Sequence, residues 1–459
     1  MQIDLNKIKK VYVIGIKGSG VVGVVEIFHK MGIEVSGSDT YEKFFTDEVL
    51  QKLSVKYAEG FAAENIPQDV DLVLYSTAYN AENNVEFAEA QKWNLVMMSY
   101  PQILAELFNQ KYGIAVCGTH GKTTTSAMLA YVLQNLGISP TAVIGSRVRQ
   151  WGGNAIIGEG EHFIIEADEY QNKLALYEPK AAILTSVDYD HPDFFKTIAD
   201  YEKVFANFVA KIPRTGFLVV WGDSVATNEV ACSCQCNIIK YGFMEDNDIV
   251  IKNHSSIGIL QRFEVFFSDK SLGFFEIKLL GKHNALNAAA VIAVCHKLNL
   301  YMEEVRMVLA NFEGTSRRFE IIGERNGAVL IDDYGHHPEE IKVTLKATRE
   351  IYTDKNIIAV FHPHSYSRTE ALLQDFAQSF DDADKVIVLD IYGSARENTG
   401  NVSSLDLVKL INKYSRDKAE HIPTIDEAVE FLQDKIGEND VVLAIGAGNV
   451  FEVVNKLKQ

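Results

Sequence analysis

The stretch Gly118-Thr119-His120-Gly121-Lys122-Thr123-Thr124-Thr125 lies between an apolar run, IAVC, and a helix-forming run, SAMLAYVLQNLG. No other part of the chain restricts the fold so strongly. A glycine loop that ends a strand and opens a helix turns its backbone N–H groups toward phosphate oxygens, at the positive end of the helix dipole. In such a loop Lys122 is expected to meet the β- and γ-phosphates of ATP, and the Thr123 hydroxyl to hold Mg²⁺. The generic phosphate-loop spacing asks for a glycine where this chain has Val116, so the match is to the chemistry rather than to the full pattern. An ordinary strand-to-helix turn would have no use for Gly-Lys-Thr-Thr.

The same strand–turn–helix grammar starts afresh at VYVIGIKGSG near the N-terminus and at GAVLIDDYGHHP in the last third. Short β-branched runs alternate with amphipathic segments over most of the 459 residues, too much chain for one core. The pattern predicts α/β architecture with parallel sheets. Joints are expected near residues 99–104 (SYPQIL) and 311–320 (NFEGTSRRFE), giving units at 1–106, 107–313 and 314–459. Between about residues 213 and 280 the runs FLVVWGD, CNIIKYGF, FEVFF and FFEIKLL predict a β-rich extension of the second unit.

Ligands in such sheets gather where strands end, so polar clusters there are candidate site residues. The apolar run HFIIEADEY ends in Glu166, Asp168 and Glu169, and carboxylates there are costly unless they meet a cation or solvent. Mg²⁺ on ATP is the obvious partner, since hard cations choose oxygen ligands. The next run, AAILTSVDYDHPDFF, ends in Asp188, Asp190 and His191. A lone histidine is more often structural, but after a phosphate loop and an acidic strand end His191 reads as a metal ligand. Near the N-terminus, Gly18, Gly20 and Gly23 form G-x-G-x-x-G between a strand and a helix, with Asp39 ending the next strand. That motif suits a dinucleotide, or equally the pyrophosphate of a UDP-sugar. The third unit supplies Asp332, Asp333, Tyr334, His336 and His337, then His362, His364 and Arg368 of AVFHPHSYSRT, a reasonable substrate pocket. Its adjacent histidines lack the carboxylate of H-E-x-x-H and read as hydrogen-bonding groups.

Charge and composition exclude other classes. Lys plus Arg number 44 against 62 Asp plus Glu, a net charge of −18, which repels nucleic acid and leaves phosphate binding to local loops. No apolar stretch approaches the roughly 20 residues that span a bilayer, so no membrane partner is expected. The opening MQIDLNKIKKVYVIG lacks the pattern of a signal peptide, and the cysteines suggest a reducing, cytoplasmic compartment. Cys232, Cys234 and Cys236 in ACSCQC have no second ligand cluster at zinc spacing and are expected on alternating positions of a strand or its edge.

Taken in order, GIKGSGVVGV, VSGSD, GTHGKTTT, GGNA, EADE, VDYDHPD, GKHNALNAAA, TSRRFE, DDYGHHPEE, FHPHSYSRT and GAGNV resemble the motifs of the Mur ligase family over nearly the whole chain. The resemblance implies three domains: a Rossmann-like UDP-binding domain, a P-loop ATPase domain with a parallel sheet, and a Rossmann-like C-terminal domain that binds the amino acid. It implies an ATP-dependent ligase that joins L-alanine, or another small amino acid, to the lactoyl carboxylate of UDP-N-acetylmuramate through an acyl phosphate. Gly118, Thr119, His120, Gly121, Lys122, Thr123 and Thr124 would then hold the ATP phosphates, with Thr123, Glu166 and His191 on magnesium. Asn284 and Asn287 of HNALN would contact adenine, and Arg318 and Asp333 would reach the nucleotide from the third domain. Gly15, Gly18, Ser19, Gly20, Gly23 and Asp39 would hold the UDP-sugar. Tyr334, His336 and Arg368 would face the amino acid, and His336 is a candidate acceptor for its amine proton. A monomer or weak homodimer is expected.

Three departures from the family pattern stand out. Members that add L-alanine usually carry an arginine after Pro-His, where this chain has Ser365, and Ser-Asp after EADE, where it has Tyr170-Gln171. The form EADEY is instead similar to members that reattach a murein tripeptide, the alternative substrate class. Some relatives use a carbamylated lysine after the Asp-His motif, where YEKVFANF offers Phe205 or Ala206, as members that add L-alanine do not need it. Outside the family, a hydride-transferring NAD enzyme would leave GTHGKTTT and the acidic strand ends unexplained. A UDP-sugar-binding regulator without activity would not need Lys122, Thr123, Glu166 and His191 together.

Overall fold

The computed structural model describes residues 5–393, 399–415 and 417–459. Three sheets account for the three restarts. In the first, the strand Lys10–Ile14, buried from Val11 onward, is central, with Glu34–Asp39 and Lys56–Glu59 on one side and Leu72–Tyr75 and Met97–Ser99 on the other. All these pairs are parallel. The strand order therefore reverses beside Lys10–Ile14, and its carboxyl end runs into the glycine turn that starts the helix Ser19–Lys30. This is the switch point at which doubly wound sheets bind ligands.

The second sheet has ten strands, with Tyr112–Cys117 between Ala181–Leu184 and His162–Glu166. Its inner strands are parallel and nearly all apolar because helices cover both faces. The strand-rich region extends this sheet, as expected. Phe217–Trp221, Asn237–Gly242, Ile249–Ile257, Leu260–Phe267 and Lys270–Ile277 continue the same sheet, and the last two are antiparallel additions. The helix Lys282–Lys297 lies in this core, with Ala288 to Cys295 all buried. The third sheet has six strands, centred on Asp440–Ile445 between Ala328–Asp333 and Asn356–Phe361, with Glu320–Arg325 as its antiparallel edge.

At the expected joint, residues 99–104, Ser99 caps the helix Tyr100–Asn109 with Pro101 in its first turn, so the chain passes between sheets on a helix. One expectation needs correction: the cysteine cluster is not on a strand. Cys232 ends the helix Val225–Ala231, and Cys234 and Cys236 form a disulfide in the turn before Asn237–Gly242, leaving Cys232 exposed and free.

At the joint, Phe108 of the helix Tyr100–Asn109 is fully buried, edge-on to Phe163 at 5.8 Å and Tyr177 at 5.5 Å. Its ring lies over Gly113, where a Cβ would stand 2.3 Å from Cζ. With three rings interlocked, Phe108 has nowhere to move. Gly113→Ala should therefore destabilise the protein by about 1–3 kcal/mol, the usual range for overpacking, read as a lower urea midpoint at unchanged m-value.

Candidate active site

The phosphate loop is held by the strand end beside it. The Thr119 hydroxyl donates to the Asp188 carbonyl at 2.8 Å, the His120 N–H donates to Ser186 Oγ at 2.9 Å, and Thr185 Oγ1 donates to the His120 carbonyl. Gly121 opens the helix Lys122–Asn135 at φ +79°, and a Cβ there would stand 2.7 Å from Asn287 Oδ1, so both backbone and space demand glycine. Lys122 folds back so that its ammonium donates to the carbonyls of Gly118 and Thr119 and, at 3.0 Å, to Glu169 Oε2. Burial opposes the charge on Lys122, but Glu169, Asp168 and Glu166 outweigh it and keep the ammonium protonated well beyond the ordinary lysine range.

The residues expected on magnesium fall into two adjacent groups. Thr123 Oγ1 donates to Glu166 Oε1 at 2.8 Å, and Gly145 N–H to Glu166 Oε2 at 2.7 Å. His191 instead groups with Asp168 and Glu169, their ligand atoms all within 4.8 Å of one another. Asp168 and Glu169 lie just past the strand His162–Glu166, so the sequence reading missed that the chain bends them toward His191. Burial opposes ionisation of Asp168, yet Lys173 and Lys122 hold its carboxyl below the usual range. Several carboxylate oxygens, one hydroxyl and one imidazole fit a hard divalent cation that keeps part of its water. Phe205 is fully buried against Tyr201, so the position after the Asp-His motif offers no ligand there.

Around these groups a cleft of about 1400 Å³ runs across all three sheets. Gly15, Gly18, Ser19 and Asp39 line its first-sheet wall, and Asp39 accepts from the N–H groups of Lys17 and Thr40 at 2.6 and 2.7 Å. Gly20 and Gly23 do not line it. Added Cβ atoms there would stand 2.7 Å from the Tyr100 ring and 2.6 Å from Val143, so these two glycines allow close packing instead. Tyr334, His336 and Arg318 line the third-sheet wall.

A second cavity, about 560 Å³, lies beyond the phosphate loop and gathers Asn284, Asn287, Thr124, Arg318 and Asp333. Asn284 donates to the Leu280 carbonyl at 2.6 Å and accepts from Asn287 at 3.0 Å, which fixes both amides. His120, Gly121, Arg318 and Glu340 border both cavities and form the neck between them.

Among the three residues expected to face the amino acid, Arg368 is the exception. It lines neither cavity. Its Nε donates to Asp190 Oδ1 at 3.0 Å and Nη2 to Oδ2 at 3.4 Å, a buried pair joining the third sheet to the second. In this arrangement the guanidinium serves Asp190, whose carboxyl is driven far below its ordinary range despite burial, by Arg368 and His191. The His336 imidazole is pushed down to about 3, chiefly by burial, with Arg368 and His364 acting in the same direction. A base that weak does not retain the proton of an alkylammonium; it can accept a hydrogen bond or pass a proton on.

Comparison with known proteins agrees with this geometry. The profile of the Mur ligase family catalytic domain matches residues 10–112, that of the Mur ligase middle domain residues 116–295, and that of the Mur ligase glutamate ligase domain residues 317–448. The UDP-N-acetylmuramate–L-alanine ligase of Desulfitobacterium hafniense is 40% identical over 449 residues, covering 97% of this chain and 99% of that one. The crystal structure of the UDP-N-acetylmuramate–alanine ligase of Thermotoga maritima superposes with a TM-score of 0.84 at 25% identity, over 98% of each chain. A murein peptide ligase of Psychrobacter arcticus superposes at 0.75 and 23% identity, again over 98% of each.

Two outcomes follow from the charges. Lys122→Ala should lower ATP turnover by at least about 10²–10³-fold, the usual loss for one preorganised charge on a transferring group. Because Tyr201 still donates to Glu169 at 3.0 Å, cooperative melting should persist; near-normal phosphate release would refute the loop's role. As pH falls from 6.5 toward about 3, the unfolded chain protonates at the position of His336 before the folded one does, so stability is lost across that window. His336→Gln should flatten this slope, measured as urea midpoint against pH.

Proposed function

The chain belongs to the Mur ligase family, and from that premise we propose that it joins L-alanine to the lactoyl carboxylate of UDP-N-acetylmuramate at the expense of ATP. The observation that carries the reading is the neck: a phosphate loop with its buried lysine stands where a nucleoside-sized cavity meets a cleft long enough for a UDP-sugar. The nucleoside of ATP belongs among Asn284, Asn287 and Asp333, and its γ-phosphate at Lys122. The UDP pyrophosphate belongs at Gly15, Gly18 and Ser19, where the helix Ser19–Lys30 begins.

A carboxylate and an amine do not condense in water unaided. A muramoyl carboxylate oxygen attacks the γ-phosphorus and ADP leaves. The amine then attacks the acyl carbon, phosphate leaves, and the nitrogen gives up its proton to solvent, directly or through His336. Lys122 and the loop N–H groups hold the charge of the transferring phosphoryl group, and Arg318 approaches it from the third domain. Thr123 and Glu166, with Asp168, Glu169 and His191 beside them, would hold Mg²⁺. When bound, that ion neutralises phosphate charge. Closure of the three domains aligns the substrates and keeps water from the acyl phosphate. Residues of one chain line both cavities, and the expected state is a monomer or weak homodimer. Its substrates assign the reaction to the cytoplasm, and no helix among the described residues is long and apolar enough to cross a membrane.

Tyr334 and His336 border the side of the cleft where the amino acid would enter. The rival reading, attachment of a murein tripeptide, draws on Tyr170, whose ring lies 4.5 Å from that of His191 and whose hydroxyl donates to Asp193 at 2.6 Å. These contacts give Tyr170 a local packing role that needs no peptide substrate. Phosphate release with UDP-N-acetylmuramate and L-alanine, glycine, L-serine or the tripeptide should give the highest kcat/KM for L-alanine. A tripeptide value above all three amino acids would overturn the substrate assignment.

A further inference from the structure

Glu340 sits three positions into the helix Pro338–Ile351, where a capping-box carboxylate is expected. Its Oε2 does that work, accepting from the N–H groups of His336 at 2.9 Å and His337 at 3.2 Å. Capping needs only one oxygen. The other, Oε1, turns to the neck, 3.2 Å from His120 Nδ1 on the phosphate loop and 3.7 Å from Arg318 Nη1. Glu340 side-chain exposure is 13%. On its far side the His120 ring comes within 3.6 Å of Asp188 Oδ2, and its buried Nε2 makes no hydrogen bond among the described residues.

We infer that Glu340 is a positioning residue for the ATP triphosphate: its one spare oxygen fixes His120 of the central domain and Arg318 of the third domain at the neck between the two cavities. The inference rests on the ATP-site reading above. A triphosphate that joins the two cavities passes Gly121 and His120 on the loop side and Arg318 on the other. The Arg318 guanidinium and the His120 ring need a partner to stay there before the nucleotide arrives, and Glu340 provides it across the domain boundary. Burial opposes ionisation of Glu340, but the hydrogen bond from His120 and the charge of Arg318 hold its carboxyl well below the ordinary range. In turn Glu340 favours the charged form of His120, against burial.

The sign of the expected effect separates placement from simple electrostatics. A carboxylate near a triphosphate repels it, so neutralising Glu340 should by itself leave the KM for ATP unchanged or lower. Glu340→Gln keeps an oxygen for the two capping N–H groups, so its melting temperature should stay near that of the parent protein. If Glu340 places His120 and Arg318, kcat should nevertheless fall about tenfold with no rise in the KM for ATP. The double variant Glu340→Gln/His120→Asn should lose clearly less than the product of the two single losses, because the His120–Glu340 contact is absent from both. Unchanged kcat in Glu340→Gln, or losses that multiply in the double variant, would overturn the inference. A lowered melting temperature with kcat intact would reduce Glu340 to a cap and overturn it equally. Lys122→Ala measured alongside keeps the two readings apart. If that variant retains turnover the ATP site itself is misassigned, and if it loses turnover while Glu340→Gln does not, only the role of Glu340 fails.

Discussion

A buried ammonium among carboxylates is the constraint around which the molecule is arranged. Lys122 would be costly at its position without Glu169, and Glu169, with 1% of its side chain exposed, would be costly without Lys122 and the Tyr201 hydroxyl. Neither residue is near the other in sequence. They meet because parallel pairing of Tyr112–Cys117 with His162–Glu166 brings the loop after the first strand beside the acidic turn after the second. Removing one partner of such a pair leaves an uncompensated charge, so the sheet register and the site chemistry depend on each other.

The third domain is held to this centre by contacts of the same kind. Arg368 reaches Asp190, His120 reaches Glu340, and His337 Nε2 lies 3.4 Å from the Tyr189 carbonyl. Two of these fall on the segment Tyr189–His191 that also presents His191 to the acidic cluster. Docking of the third domain and the placement of His191 are thus one event. Ser365 takes part indirectly: at φ +68° it caps the helix Tyr366–Ala371, its Oγ accepting from the Arg368 N–H at 3.3 Å. The serine that replaces the expected arginine thereby helps set the helix from which Arg368 reaches Asp190.

What the sequence made legible was local. A strand that runs into a glycine turn and a helix carries its own signature, so the three restarts, the phosphate loop and the acidic strand ends could all be read from residue order. Contacts across domains could not. His120 and Glu340 are 220 positions apart, and nothing near either residue marks the other. Arg368 was expected to face the amino acid on the family resemblance, and only the fold supplies its partner Asp190. Gly20 and Gly23 matched a pyrophosphate motif, yet the same spacing also serves close packing, and their neighbours Tyr100 and Val143 could not be read from residue order. The disulfide between Cys234 and Cys236 was hidden because alternating cysteines read equally well as one face of a strand.

Charge balance across the cleft gives the last piece of the design. Glu169 is matched by Lys122, Asp168 by Lys173, Asp190 by Arg368, and Glu340 by His120 and Arg318. Asp188 has His120 within 3.6 Å. Glu166 is held differently, by two neutral donors, the Thr123 hydroxyl and the Gly145 N–H. A carboxylate kept in place by hydrogen bonds from uncharged groups is oriented without being neutralised. Its charge remains available to a cation that arrives with the nucleotide, whereas the paired carboxylates would first have to give up a lysine or an arginine. The protein's own cations therefore set the resting geometry of the cleft, and Glu166, at the helix start that carries Lys122 and Thr123, is where added positive charge is best accommodated.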